Sequence, residues 1–269
     1  MEKLSYLIAA MAVIASAACS NEVQNIDDVD EPVSSPRLEK LVFEEYAENN
    51  LNSSSYEFKY GDDGLLSEVK RILEDDETPG KQNISYFYYT YSEGSIKVVF
   101  DNGSEGTPFT RSVYKVSDGK ITGYSYVGSG GKRYIYPDGS SKPSESTYAE
   151  SNETEYRFTW DSDGNMVKTQ EYESINCVYK YNSRKNNCNI DVVLWYNEDF
   201  CPDFIDRNVA GNLSSTNLLE NITRSGSESE EGNFSVNYAY TYDIKGNVTE
   251  IRITHYEDYY VILKLTLKY

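Results

Sequence analysis

Histidine is nearly missing from this chain: its 269 residues contain one, His255. A Ser–His or Cys–His nucleophile pair therefore has to use that single imidazole, in ITHYEDYY beside Glu257 and Asp258, a setting typical of a surface residue. Cysteine is scarce as well. There are four, with no Cys-x-x-Cys, so with one histidine no zinc ligand set of the usual spacing can be assembled. Gly-x-Ser-x-Gly, a Walker loop and a dinucleotide fingerprint are all absent. Positive charge is short too. Against 44 acidic residues stand 25 basic ones, a net −19 that repels phosphate backbones and argues against nucleic acid as a partner. Long apolar runs are missing except at the start, where Tyr6 to Ala15 is too short to span a bilayer as a helix.

That opening run has another meaning. Lys3, the short apolar core and Ser16-Ala17-Ala18-Cys19-Ser20 together describe an export signal, with Cys19 placed like the lipid-accepting cysteine of a bacterial lipobox. Ser16 stands where such a box usually has leucine, and ordinary cleavage after Ala18 is the alternative. Residues 1–18 are read as the signal and 19–37, polar and acidic with Pro32 and Pro36, as a lipidated tether. Residues 38–269 then form a single all-β domain. The expected location is the outer membrane, held by the lipid, on the surface or the periplasmic face.

What the chain has in abundance is tyrosine, 26 residues, arranged at period two. Tyr56-x-Phe58-x-Tyr60, Tyr156-x-Phe158-x-Trp160 and Tyr238-x-Tyr240-x-Tyr242 alternate, and Leu263, Leu265 and Leu267 share one face of the last segment. Each pattern predicts a strand packed on one side. Several of these strands end in an acidic step and a glycine: Gly61-Asp62-Asp63-Gly64, Asp161-Ser162-Asp163-Gly164 and Asp243-Ile244-Lys245-Gly246. The Asp161 copy looks like a calcium loop. However, its glycine follows the second acid too early for a calcium hand, and the last copy has Lys245 where an acid is needed. A tight turn needs positive φ, which glycine accepts, so these units predict hairpins and no metal site.

The predicted fold is an all-β antiparallel meander of consecutive hairpins forming a twisted, curled sheet. Gly128–Glu145 is expected to be a long hairpin or surface loop. Asn197–Asn233 is the longest stretch without alternation, and a minor helical insert is expected near residues 200–220.

The unit Tyr240-Thr241-Tyr242-Asp243-Ile244-Lys245-Gly246-Asn247 resembles the YD units of bacterial RHS proteins. The wider order resembles the domain of unknown function 4595 family of Bacteroidota lipoproteins. That order is a lipobox, aromatic hairpins, Tyr179-x-Tyr181-Asn182, Asn189-Ile190-Asp191, then Gly211-x-x-Ser214-x-x-Asn217-Leu218-Leu219 before the final unit. The likeness implies a secreted, membrane-anchored β protein and supplies no catalytic residues.

The function expected from these features is non-enzymatic binding of a glycan or protein by a monomer without cofactor. Trp160, Trp195, Tyr156 and Tyr240 are the candidate aromatic platform. Two alternatives stand beside it. A concave apolar face, including Leu263, Leu265 and Leu267, suits an acyl chain. A carboxylate-dependent glycan hydrolase needs only two acids, for which Asp191 and Asp243 come first because both neighbour hydrophobic strand residues. Cys188 and Cys201 are the expected disulfide if one forms, and Cys177 is expected to sit in a strand.

Overall fold

The computed structural model describes residues 36–269 except 48–49, 75–80, 104–105, 129, 172–173, 193–202, 227–232 and 256–260. The expected signal, Cys19 and the tether as far as residue 35 lie outside the described residues. The alternating segments all become strands: β1 (Lys40–Ala47), β2 (Asn50–Tyr60), β3 (Leu66–Glu74), β4 (Gln82–Ser92), β5 (Ser95–Asp101) and β6 (Phe109–Ser117). There follow β7 (Lys120–Tyr126), β8 (Gly131–Ile135), β9 (Glu145–Tyr148), β10 (Thr154–Trp160) and β11 (Met166–Glu171). The last five are β12 (Ile175–Lys185), β13 (Asn217–Ser225), β14 (Phe234–Tyr242), β15 (Val248–His255) and β16 (Val261–Lys268).

Each strand pairs antiparallel with the next, as the hairpin signals predict, but the sheet does not stay open. β1 and β16 pair, with Leu41 opposite Leu267 and Phe43 opposite Leu265, and the sixteen strands close into a barrel. The expectation of a curled sheet is corrected here. The driving force is clear: closure removes both free edges and encloses Leu41, Leu263, Leu265 and Leu267, each at most 4% exposed.

Alternation then sorts the wall into two faces. Inward positions carry Tyr56, Phe58, Val69, Val98, Tyr114, Ile251 and Ile253, all buried. Outward positions carry ion pairs across neighbouring strands, Lys59–Glu68 at 2.7 Å, Lys70–Glu57 at 3.4 Å and Lys264–Glu44 at 2.8 Å, and one along β15, Arg252–Glu250 at 2.7 Å. A lipid-facing barrel has the reverse polarity, and Lys or Arg at its midplane costs about 2–4 kcal/mol each. This outer wall suits water.

Because the strands alternate in direction, the Asp-Gly turns gather at one end of the barrel. The glycines there have the expected positive φ, +80° at Gly64, +84° at Gly164 and +83° at Gly246. The connection between β12 and β13 belongs to the same end, and it carries an insert, residues 186–216. Among the described residues it carries one short helix with both ends defined, α1 (Arg207–Ala210), capped by the Asp206 carboxylate, which accepts from the Asn208 amide at 2.9 Å. Residues 217–225, read from sequence as irregular, are strand β13. Gly128–Glu145 contains strand β8 and the start of β9, joined by residues 136–144.

The insert packs into the barrel. Cys188, Ile190, Val192, Phe204, Ile205 and Leu213 are all buried. Its polar groups bind distant strands. The Asn189 side chain accepts from the Leu38 amide at 2.9 Å and donates to the Tyr60 hydroxyl at 2.9 Å. The Asp203 carboxylate accepts from Arg111 at 3.0 Å, Tyr114 at 2.7 Å and Ser112. A register shift between Val98 and Val99 of β5 leaves Arg111 as the extra residue of β6, and both Arg111 and Ser112 reach Asp203. Phe204 lies edge-on to Tyr56 and Phe58, with ring centres 5.2 and 5.1 Å away. A barrel of this strand number commonly holds a water-filled channel. Here the lumen is an apolar core with the insert as its floor.

Candidate ligand cavity

On one side of the lumen the core is incomplete. A cavity of about 780 Å³ lies inside β10 to β16 and β1, above the insert. Its walls are the inward side chains of these strands, among them Met166, Leu219, Val236, Ile251, Ile253 and Leu267. Ile190, Val192 and Leu213 of the insert form the apolar part of the floor, and Asn186, Asp191 and Ser215 the polar part. At the far end stand Glu171, Arg224, Phe234 and His255. Arg224 contacts Glu171 at 3.4 Å and lies 6.0 Å above the centre of the Phe234 ring.

The tyrosines here turn their rings, not their hydroxyls, to the space. Tyr240 donates to the Leu219 carbonyl at 2.6 Å. Tyr181 donates to the Met166 carbonyl at 2.9 Å and accepts from Ser215 at 2.8 Å. Tyr179 and Thr169 share a hydrogen bond of 3.1 Å. Burial pushes all three phenols above their ordinary pKa, so they stay neutral across the physiological range. With these hydroxyls already satisfied, the walls offer hydrocarbon and ring surface. Burial likewise pushes the Cys188 thiol up to about 11 and raises that of Cys177, which leaves both as weak nucleophiles at neutral pH.

The predicted site residues are distributed as follows. Tyr156 and Tyr240 both line the cavity from inside. Trp160 is not brought to them: its indole donates to the Pro143 carbonyl at 2.7 Å, with the Lys142 ammonium 4.5 Å above the ring. Trp195 and Cys201 lie outside the described residues, and with Cys201 the expected pairing to buried Cys188. His255 reaches the cavity's far end and Asp191 its floor.

Asp243 works in the β14–β15 turn. Its carboxylate accepts from the Lys245 amide at 2.8 Å, the Asn247 amide at 2.9 Å and the Asn247 side chain at 2.9 Å. Asp161 repeats this with Asp163 at 2.9 Å and Asn165 at 2.8 and 3.1 Å. These hydrogen bonds hold both carboxyls below the usual carboxylate range against the opposing effect of desolvation. The acids of the repeated motif therefore stabilise the turn that the glycine permits.

Sequence reasoning missed the insert's Asp203 and Phe204 and the inward-facing Arg71. Only Arg71 had a visible signal, since it stands two residues after Val69 on the face that alternation assigns to the core.

No family model matches the chain, and comparison with curated proteins gives no match. Among solved structures, a porin-like protein from Bacteroides uniformis ATCC 8492 has a similar fold, with a TM-score of 0.55 and 13% identity, covering 88% of this chain and 99% of that one. A porin-like protein from Bacteroides vulgatus ATCC 8482 gives 0.47 and 12%, covering 87% and 98%. At this identity the likeness speaks to the β-barrel fold.

Proposed function

We propose that this chain is a non-enzymatic binding protein that encloses an elongated apolar or amphiphilic molecule in its barrel. The observation that carries the reading is the 780 Å³ cavity, in which the hydroxyls of Tyr179, Tyr181 and Tyr240 are bonded to the protein and whose surface is mostly apolar. A sugar in that space would meet polar partners only at the floor and the far end, whereas an alkyl chain along the walls would gain about 0.8 kcal/mol per buried methylene. A pore fits poorly, because the insert occupies the lumen and the outer wall carries ion pairs. The reading thus moves from an aromatic surface platform to the acyl-holding alternative. Export, lipidation at Cys19, a monomeric state at the outer membrane and kinship with the domain of unknown function 4595 family belong to the same proposal. A soluble periplasmic or surface barrel tethered by lipid is a reasonable carrier of membrane-derived molecules.

The test is native mass spectrometry and organic extraction of the full-length purified protein, followed by displacement of a fluorescent fatty-acid probe. The expected result is one bound chain per barrel, displaced by long-chain fatty acids. If no chain co-purifies, the probe does not bind, and soluble glycans instead raise the melting temperature, the reading is overturned in favour of the glycan alternative.

A further inference from the structure

The lumen has a second, smaller cavity of about 300 Å³, on the side of β1 to β6. Its character differs from the first, because two guanidinium groups line it, Arg71 and Arg111. Arg111 is neutralised: Asp203 binds it at 3.0 Å, and its guanidinium lies 5.3 Å from the centre of the Phe87 ring and 4.9 Å from that of Tyr126. Arg71 is not. It faces inward opposite Tyr56, its Nε is buried without a hydrogen-bond partner, and it has no ion pair among the described residues. The carboxylate across β2, Glu57, belongs to the outer face, where it pairs with Lys40 and Lys70. Glu45, the other acid lining the cavity, is exposed and stands near the end of β1.

Arg71 is half-buried, and a guanidinium nitrogen taken out of water without a partner is an unfavourable arrangement, while the fork of the group matches a carboxylate or phosphate oxygen pair. Phe43 connects the argument to the larger cavity, since its side chain lines both. We propose that Arg71 is the anchor for the anionic head group of the molecule whose chain fills the larger cavity, the two parts meeting beside Phe43. The ligand class is then a single-chain anionic amphiphile, with a carboxylate as the simplest head. This inference rests on the carrier reading above and adds the sign of the head group and its location.

The experiment compares myristate with myristyl alcohol, which share a chain and differ in the head, by probe displacement on the full-length protein and on Arg71→Gln, Arg71→Lys and Lys70→Gln. Lys70→Gln removes a positive charge from the outer face of the same strand and controls for long-range electrostatics. Wild-type protein and Lys70→Gln should prefer the acid by about tenfold, the value of one charge-assisted hydrogen-bonded contact. Arg71→Gln should bind the alcohol as wild type does and lose the preference for the acid. Arg71→Lys should regain part of it. Retained alcohol binding shows that Arg71→Gln is folded; if it fails to fold, the Arg71→Lys intermediate preference decides. Equal binding of acid and alcohol by wild type, or an acid preference that survives Arg71→Gln, overturns the head-group assignment and leaves the carrier reading intact. Binding of neither ligand overturns both.

Discussion

The two sides of the lumen start from the same wall and end with opposite contents. Along β2 to β6, inward tyrosines and valines meet Phe204 and Asp203 of the insert, so that ring–ring contacts and a buried carboxylate fill most of the space. Along β11 to β16 the wall is equally apolar, yet the described part of the insert supplies a floor there, beneath a cavity of about 780 Å³. The strands alone do not decide where the cavity lies. The seating of one insert does, and that seating depends on a few polar contacts across the barrel.

Removing the contact that seats the insert should have the largest effect. Asp203→Ala deletes the acceptor of three donors and leaves Arg111, whose side chain is 25% exposed, beside an empty position. Loss of one partner of a buried charged network typically costs about 3–5 kcal/mol. Denaturant unfolding should show a loss near 4 kcal/mol. A loss below about 1 kcal/mol would mean that Asp203 does not hold the insert, and the contrast between the two sides would need another cause.

Phe204→Ala follows in size. The ring is 3% exposed and wedged between Tyr56 and Phe58, so truncation should cost about 3–4 kcal/mol by the usual sum of lost transfer energy and residual cavity. It should also enlarge the smaller cavity, which xenon uptake or a longer bound ligand would report. A loss as small as that of a surface residue would indicate that the filled side is filled by something else.

Alkali should act on the insert's contacts and on the cavity side together. Tyr136, beside the insert, is pushed up to about 12 by burial, against the lowering effect of its bond to Asn212, and Tyr181 and Tyr240 on the empty side are also raised. In the unfolded chain these phenols lose their protons near pH 10, while the folded ones hold them. The unfolded state then binds fewer protons, so stability is intact below pH 10 and falls as pH rises from 10 to about 12. Melting temperatures taken across that window should decline steadily, and the full tyrosinate absorbance should be reached only on unfolding, since exposed tyrosines such as Tyr46 contribute before it. Full tyrosinate absorbance near pH 10 in folded protein would show that water reaches the buried phenols.

How much of this was legible in the sequence follows from the range of each signal. Period-two aromatics and Asp-x-x-Gly turns are local, and they located the hairpins and assigned Tyr56, Tyr156 and Tyr240 to strand positions that turn out to face inward. β13 escaped because consecutive buried leucines, Leu218 and Leu219, and a register shift opposite Tyr181 break its alternation. Closure of β1 on β16 joins residues at opposite ends of the chain, which no local pattern can encode. Asp203 and Phe204 carry no periodicity at all, since their meaning lies in what they meet across the lumen. Of the cavity, the wall was readable and the emptiness was not: a void is a relation between the insert's volume and the barrel's.

The smallest expected effect on stability is the most direct test of that relation. Val236 and Val98 are both buried inward valines, the first beside the cavity on β14 and the second on β5, on the side the insert fills. In a well-packed core, valine to phenylalanine forces neighbours off their rotamers and costs about 1–3 kcal/mol. Val98→Phe should show that penalty. Val236→Phe should not, because its ring can enter existing space and gain contacts there, and the net change should stay within about 1 kcal/mol. The same ring shortens the space for an alkyl chain, so probe binding should fall sharply in Val236→Phe and persist in Val98→Phe. Two equal penalties would mean that the strands relax inward and that no usable volume exists in solution. A neutral Val236→Phe that still binds the chain would leave the cavity real but move the ligand elsewhere in the lumen.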